Sequence, residues 1–438
     1  MKRLAVLGTV ATFAIASIAA VPRTAHAQLT MQMGNGWSLS FSGNVNAFEV
    51  ETFSSGVPSA VTYGQVAADE GTTNRLRTGL LPAFAVFDVK GKEGPLDLGV
   101  HFGFAPQIQS GGGSSGTTHD QFGAQIDMRQ VYLTLGGSWG QILAGREIGL
   151  YQRENILTDM TLTGVGAAGS QIGNGGTTLG RIGFGYTYPN FNAQITYSSP
   201  ATNDVVLSVG IFDPSALNGE SGSAEFTRMP RVEAEVTWTG KLGTPAAGAA
   251  GNKVLVWVGG TWQEANFQGN TSTAADSSGA GVTDSTRNAE GVDFGVKLDL
   301  GQLSLVGSGY YDHGVGTTLM FTTPAGFDGV GAARTSFGYI GQITYKIDPK
   351  WMIGASLGAS NLLQTDADRG INGLGCPVTS TTSGACLLKD NLDGSAMITY
   401  QWTKSLRFVA EYDYVESVNY AFQNNKVNQI DAGFMLFF

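Results

Sequence analysis

From Val427 to Phe438 the chain alternates with a period of two. Ile430, Ala432, Phe434, Leu436 and Phe438 fall on one face, and Gln429, Asp431, Gly433 and Met435 on the other. A pleated strand with one dry and one wet side produces this pattern, because successive side chains point to opposite faces. The same reading recurs upstream. Thr335, Phe337, Tyr339, Ile343 and Tyr345 oppose Arg334, Ser336, Gly338, Gln342 and Lys346, while Leu96, Leu98, Val100, Phe102 and Phe104 oppose Asp97, Gly99, His101 and Gly103. An edge of a soluble sandwich alternates too, but charge and glycine kept to one side, in a chain that ends on Phe438, fit a barrel with a solvated lumen.

Segments of this kind predict sixteen strands, near 36–50, 74–90, 95–109, 123–137, 139–147, 179–198, 204–213, 228–240, 253–264, 290–300, 302–313, 334–347, 350–361, 392–403, 405–417 and 426–438. The number is even, as bacterial barrels require. The sixth segment is long enough to hide a turn near Pro189-Asn190. Short connections such as Gly91-Lys92-Glu93-Gly94 and Gly301-Gln302 alternate with long ones rich in Gly, Ser, Thr and Asn, the expected asymmetry of periplasmic turns and outer loops. Trp139, Trp238, Trp257, Trp351 and Trp402 lie close to the short turns, where an interfacial girdle places them.

Composition narrows the competing classes, of which a large secreted β-sandwich or β-helix is the soluble alternative. Only 14% of the residues are charged against 10% aromatic, with 63 Gly and a mean hydropathy of +0.01. A soluble domain carries about 25% charged residues, and a disordered chain fewer aromatics. Residues 1–27 read as a secretory signal: Lys2 and Arg3 precede an apolar stretch from Leu4 to Val21, which ends in Ala25-His26-Ala27. The remaining span, 28–438, reads as one barrel domain without an apolar run of the roughly 20 residues that a spanning helix needs. Taking Lys2, Arg3 and Arg23 from 25 basic residues, against 35 acidic ones, leaves a net charge of about −13, which disfavours nucleic acid as a partner. Cys376 and Cys386 lie in a Gly/Ser/Thr-rich segment and read as a disulfide stapling a loop.

Enzymatic and metal readings are weak. Gly354-Ala355-Ser356-Leu357-Gly358 fits the letters of a nucleophile elbow but sits inside a strand. His101, His119 and His313 are scattered without metal-ligand spacing, so neither a metal nor a cofactor is expected.

Arg129-Gln130-Val131-Tyr132-Leu133, then Gly145-Arg146, a long third loop and Gly180-Arg181 opening the next strand resemble the Gram-negative general porins. The resemblance implies an all-β fold, a sixteen-stranded antiparallel transmembrane β-barrel of the bacterial outer membrane. Its third loop, here about 148–178, folds inward. It also implies passive diffusion of small hydrophilic solutes and ions, a homotrimer, and an environment of outer-membrane lipid and lipopolysaccharide. In that family basic wall residues face acidic loop residues across a constriction. The matching positions are Arg75, Arg77, Arg129, Arg146 and Arg181 on the wall, and Glu147, Glu154 and Asp159 on the loop, with Arg153 nearby. Opposed charges in a narrow low-dielectric pore set ion preference; acidity tilts the expectation toward cations. The alternatives are a sugar-selective channel, with Tyr151, Tyr310 and Tyr311 as a stacking track, and a non-conducting surface protein. Strict alternation places Arg129 on the face of Val131 and Leu133, so that a bulge or a rim position is needed.

Overall fold

The structure is a computed structural model that describes residues 29–56, 61–62, 71–109, 126–168, 177–217, 224–243, 251–268, 285–318, 320, 326–328, 331–370 and 386–438. Sixteen antiparallel strands close into a barrel. They are β1 (Ser38–Gly56), β2 in two pieces (Gly71–Arg77 and Phe84–Glu93), β3 (Leu96–Pro106), β4 (Ile126–Gly137), β5 (Gly140–Ile148), β6 (Phe191–Ser198), β7 (Val205–Phe212) and β8 (Arg231–Leu242). The second half comprises β9 (Asn252–Gln268), β10 (Ser285–Leu300), β11 (Leu303–His313), β12 (Thr335–Lys346), β13 (Trp351–Leu363), β14 (Cys386–Gln401), β15 (Leu406–Asn419) and β16 (Asn424–Phe437). Neighbours in sequence pair around the ring. It closes where β1 pairs with β16 from Asn44↔Phe437 to Gly56↔Asn425. The short strand Leu29–Gln32 lies against the start of β1, in line with the end of β16.

The period-two patterns become the two faces of the wall. Val205, Leu207, Val209, Ile211, Val258, Phe294, Ile343, Leu357, Ile430 and Phe434 are exposed on the outside, as a lipid-facing band requires. Their alternates, among them Ser208, Asp293, Ser336, Ser356, Gln429 and Asp431, are buried toward the interior. Trp139, Trp238, Trp351 and Trp402 are exposed at the short-turn end and form the expected girdle. Trp257 does not: it is fully buried on the inward face of β9, where its indole N–H finds a partner.

Two strand expectations need correction. The predicted strand 74–90 is interrupted at Thr78–Ala83, which leaves the ladder for the lumen. Pro82 has no N–H to give to a ladder, and the side-chain amides of Asn44 and Asn46 donate to the Pro82 and Leu81 carbonyls instead. The predicted strand 179–198 is a strand only from Phe191. Its first part belongs to the third loop, and Asn190, with φ of 59°, makes the turn that a side chain of its type tolerates.

Candidate functional site in the barrel lumen

Between Gly149 and Asn190 the described residues, 149–168 and 177–190, leave the wall and lie in the interior. The neck of this loop is tied by the Gly149 N–H donating to the Asn190 carbonyl at 2.9 Å. One short helix, Arg153–Thr158, and a 3-10 turn, Met160–Thr163, give it local structure. It turns inward because it carries its own apolar cargo. Ile156, Met160, Leu162, Val165, Ile182 and Tyr186 pack against inward-facing Phe48, Leu80, Met397, Val409 and Met435. Gly79, in the stretch that leaves β2, lies tight against the loop: a Cβ there would stand 2.2 Å from the Gly164 carbonyl oxygen, which accepts the Leu80 N–H at 3.0 Å.

Polar contacts fix both ends of the crossing. On the β8–β12 side, Glu233 accepts the N–H groups of Leu150 at 2.8 Å and Tyr151 at 3.1 Å, and Asp293 accepts that of Gln152 at 3.1 Å. The Tyr151 hydroxyl donates to Asp312, and Arg153 pairs with Glu235. Trp257 donates to the Asn155 side chain at 2.8 Å, while Gln342 takes the Met160 N–H at 2.7 Å and returns a bond to the Thr158 carbonyl. On the β14–β16 side, the Gly166 N–H donates to Glu411, and Gln429 bonds both Ala168 N–H and the Gly166 carbonyl. Arg181 donates to the Asp393 carbonyl, with its Nε 3.8 Å from the Asp393 carboxylate. Asp159 accepts the Tyr186 hydroxyl at 2.8 Å and the Thr161 N–H at 2.9 Å.

The sign of the expected arrangement is therefore largely reversed. Acids stand on the wall: Glu233, Glu235, Asp293, Asp312, Asp393, Glu411, Asp413 and Asp431 are all buried on inward faces. The loop brings Arg153 and Arg181 and a series of backbone N–H groups, while the wall keeps buried arginines of its own, Arg287 on β10 and Arg231 on β8, the latter 2.9 Å from Glu233. Arg181 was expected on a strand and lies on the loop; Glu147 was expected on the loop and lies on β5, bonded to Gln130 at 3.0 Å. Arg77 faces inward, fully buried, and donates to the Thr177 carbonyl at 3.1 Å. Arg75 shares that face of β2 but is exposed near the long-loop end. The pairing of β3 with β4 slips between Gly103 and Phe104, so Arg129 occupies the bulge, its Nε 2.6 Å from Asp127 and its guanidinium over the Phe191 ring. Arg146 pairs with Val131 and Ala193 on the outward face, which removes it from the lumen. Tyr311 is likewise outward and exposed, so the proposed tyrosine track is broken, although Tyr151 and Tyr310 are buried inside. Cys376 lies outside the described residues.

Water-accessible surface inside the barrel runs along the other side of the loop helix. Glu154 and Leu157 are half-exposed there, facing a wall whose half-exposed inward residues are Thr237, Lys297, Asp299, Gln342 and Thr344. Enclosure within the barrel, and next the proximity of Glu235, push the Glu154 carboxyl up to about 7 against the pull of Arg153 and Lys297. Burial also raises the Asp159 carboxyl, opposed by Arg181. Toward the turns, His101 stacks on Tyr132 with 4.6 Å between centroids and contacts Asp88 at 2.8 Å. Glu411, Asp413 and Asp431 bring carboxylate oxygens within 4.8 Å of one another, a donor type suited to hard cations. The inward acids each occupy the polar face of an alternating strand, so the signal that locates them was present in the sequence.

A family model described as Gram-negative porin matches residues 11–433. No curated protein sequence gives a significant match. Among solved structures the chain is similar to the outer membrane channel DcaP of Acinetobacter baumannii, with a TM-score of 0.63 at 16% identity over 93% of this chain and 99% of that one. It is similar also to the anion-selective porin from Comamonas acidovorans, with a TM-score of 0.56 at 10% identity over 92% and 100% of the two chains. The fold thus defines an outer-membrane diffusion channel. The chain belongs to the Gram-negative porins. It is a channel of the bacterial outer membrane through which solutes diffuse.

Proposed function

We propose that this porin passes small hydrophilic solutes and ions passively, prefers cations, works as a homotrimer, and is exported by a cleaved signal at residues 1–27 into lipid and lipopolysaccharide. The observation that carries the cation preference is the placement of carboxyl groups: acids on the inward faces of β8, β10, β11, β14, β15 and β16 outnumber the arginines of loop and wall that stand among them, Arg153, Arg181, Arg77, Arg231 and Arg287. Low-dielectric walls focus such a field on the aqueous path and raise the local concentration of counter-ions. Within the path, Glu154 and Arg153 on the loop helix, with Glu235 and Lys297 on the wall, form the narrow charged section. Asp159, Arg181, Arg77 and Glu147 hold the loop that defines it. Conduction by this route involves no cofactor and no covalent step, and Cys376 and Cys386 form a disulfide that staples a loop. In a planar bilayer with a salt gradient, this reading predicts a reversal potential of cation-selective sign. A reversal potential of anion-selective sign contradicts it, and shows that the fold shared with the Comamonas acidovorans porin comes with the selectivity of that protein.

A further inference from the structure

Glu411, Asp413 and Asp431 stand together where the wall meets the loop. Glu411 and Asp413 are successive inward positions of β15, and Asp431 is the residue of β16 that pairs with Glu411. Like charges placed directly opposite each other on neighbouring strands repel, since their Cβ atoms are only about 4.5–5.5 Å apart. Water does not screen them, for the three residues are 4%, 0% and 1% exposed. No basic side chain among the described residues makes an ion pair with any of the three. The basic group on this side of the lumen, Arg181, is engaged by Asp393 on β14: it donates to the Asp393 carbonyl, and its Nε stands 3.8 Å from the carboxylate.

Hydrogen bonds do not make up the deficit. Glu411 accepts the Gly166 N–H at 2.5 Å and, at the limit of bonding, the Val165 N–H at 3.5 Å. The Ser395 hydroxyl gives its one proton to Asp413. The Gln429 amide nitrogen lies 3.1 Å from Asp413, 3.0 Å from Asp431 Oδ2 and 2.7 Å from the Gly166 carbonyl, three acceptors for two hydrogens. Asp431 Oδ1 is left without a partner, on a buried carboxylate that faces Glu411 across the ladder. An orphaned anionic oxygen in such a place is costly unless something positive meets it. One oxygen from each of the three carboxylates lies within 4.8 Å of the others. A calcium ion bound at about 2.3–2.6 Å spans ligand oxygens up to about 4.6–5.2 Å apart, so a single ion reaches all three.

We propose that Glu411, Asp413 and Asp431 bind a calcium ion that ties the loop to β15 and β16. Three carboxylates with no imidazole or thiolate select a hard cation over zinc or copper. Magnesium keeps several of its waters, for which groups this buried leave little room, whereas calcium accepts a crowded and irregular oxygen set. Bound there, the ion neutralises the opposed pair and meets the orphaned Asp431 oxygen. The loop feels it directly. Gly164 is seated so close that a Cβ would stand 2.1 Å from Glu411 Oε2, and Gln429 accepts the Ala168 N–H at 3.1 Å. Sequence spacing conceals the site, because two of its ligands alternate like any inward pair and the third comes from the next strand.

The test uses the full chain refolded in detergent from the denatured state, free of lipopolysaccharide, which itself carries divalent cations. After treatment with EDTA and dialysis, titration calorimetry with calcium chloride is expected to show one ion per chain, and magnesium chloride at least tenfold weaker binding. The thermal unfolding temperature is expected to rise with calcium concentration and to fall back with EDTA, as for any ligand of the folded state alone. Asp431→Asn is expected to lose both the binding and the calcium-dependent shift, while unfolding no earlier than calcium-free wild type, since it also loses a repulsion. Asp97→Asn, which changes an exposed acid near a short turn, is expected to keep both. Asp413→Asn, expected to weaken binding at least tenfold, decides the matter if Asp431→Asn does not refold. Absence of calcium binding in the wild type overturns the proposal, as does binding that these site variants leave unchanged.

Discussion

Glu154 differs from the other loop acids in having accessible surface beside it, and with its carboxyl raised to about 7 it changes charge near neutrality. Because the value is raised, the group is neutral below that range and gains its negative charge as the pH climbs through it. Cation preference is therefore expected to strengthen between about pH 6 and pH 8, and Glu154→Gln to flatten that dependence; reversal potentials recorded across the range would show it, and an equally steep dependence in the variant would refute it. A second residue-scale prediction concerns Gly79, where a Cβ would lie 2.2 Å from the Gly164 oxygen and 2.9 Å from the Phe48 ring. Gly79→Ala should destabilise the barrel by about 1–3 kcal/mol, the ordinary cost of overpacking, seen as an earlier transition in urea. At this scale the sequence spoke only in part. Glu233, Glu235 and Asp431 were legible as inward because they alternate with apolar neighbours. Which of them answers Arg153 or Arg181 was not legible, since those partners are brought together from distant strands.

Among the elements, the strands were the most readable, because lipid on one side and water on the other impose a period of two that no loop shares for long. The exception shows the limit. Arg181, Gly183 and Gly185 alternate with Ile182, Phe184 and Tyr186 as a strand would, yet Gly180, Gly183 and Gly185 take φ of 56°, 84° and 145°. Glycine permits the left-handed backbone that breaks the strand and turns the segment into the lumen. The described parts of the loop are held by wall groups from β8 to β16. Replacing residues 153–187 by a short Gly/Ser linker is expected to raise single-channel conductance several-fold while the barrel still folds; an unchanged conductance would show that the path lies elsewhere.

For the whole molecule, the sorting of side chains between lipid and lumen is what lets so charge-poor a chain span a membrane. Val258 is exposed on the outward face of β9 and Thr237 half-exposed on the inward face of β8. Val258→Arg should cost roughly 2–4 kcal/mol in a bilayer unfolding titration, and Thr237→Arg far less, since the latter meets water. Equal costs would contradict the assignment of faces. Sixteen strands give a lumen too wide for wall side chains alone to fill, which is why the loop, and the acids that hold it, decide what passes. The most direct measurement is single-channel current of the purified, folded protein in a planar bilayer under a potassium chloride gradient. The account predicts stepwise conductance with a reversal potential of cation-selective sign, reduced in Glu154→Gln. An inserted barrel that carries no current, or one whose reversal potential has the anion-selective sign, would contradict it.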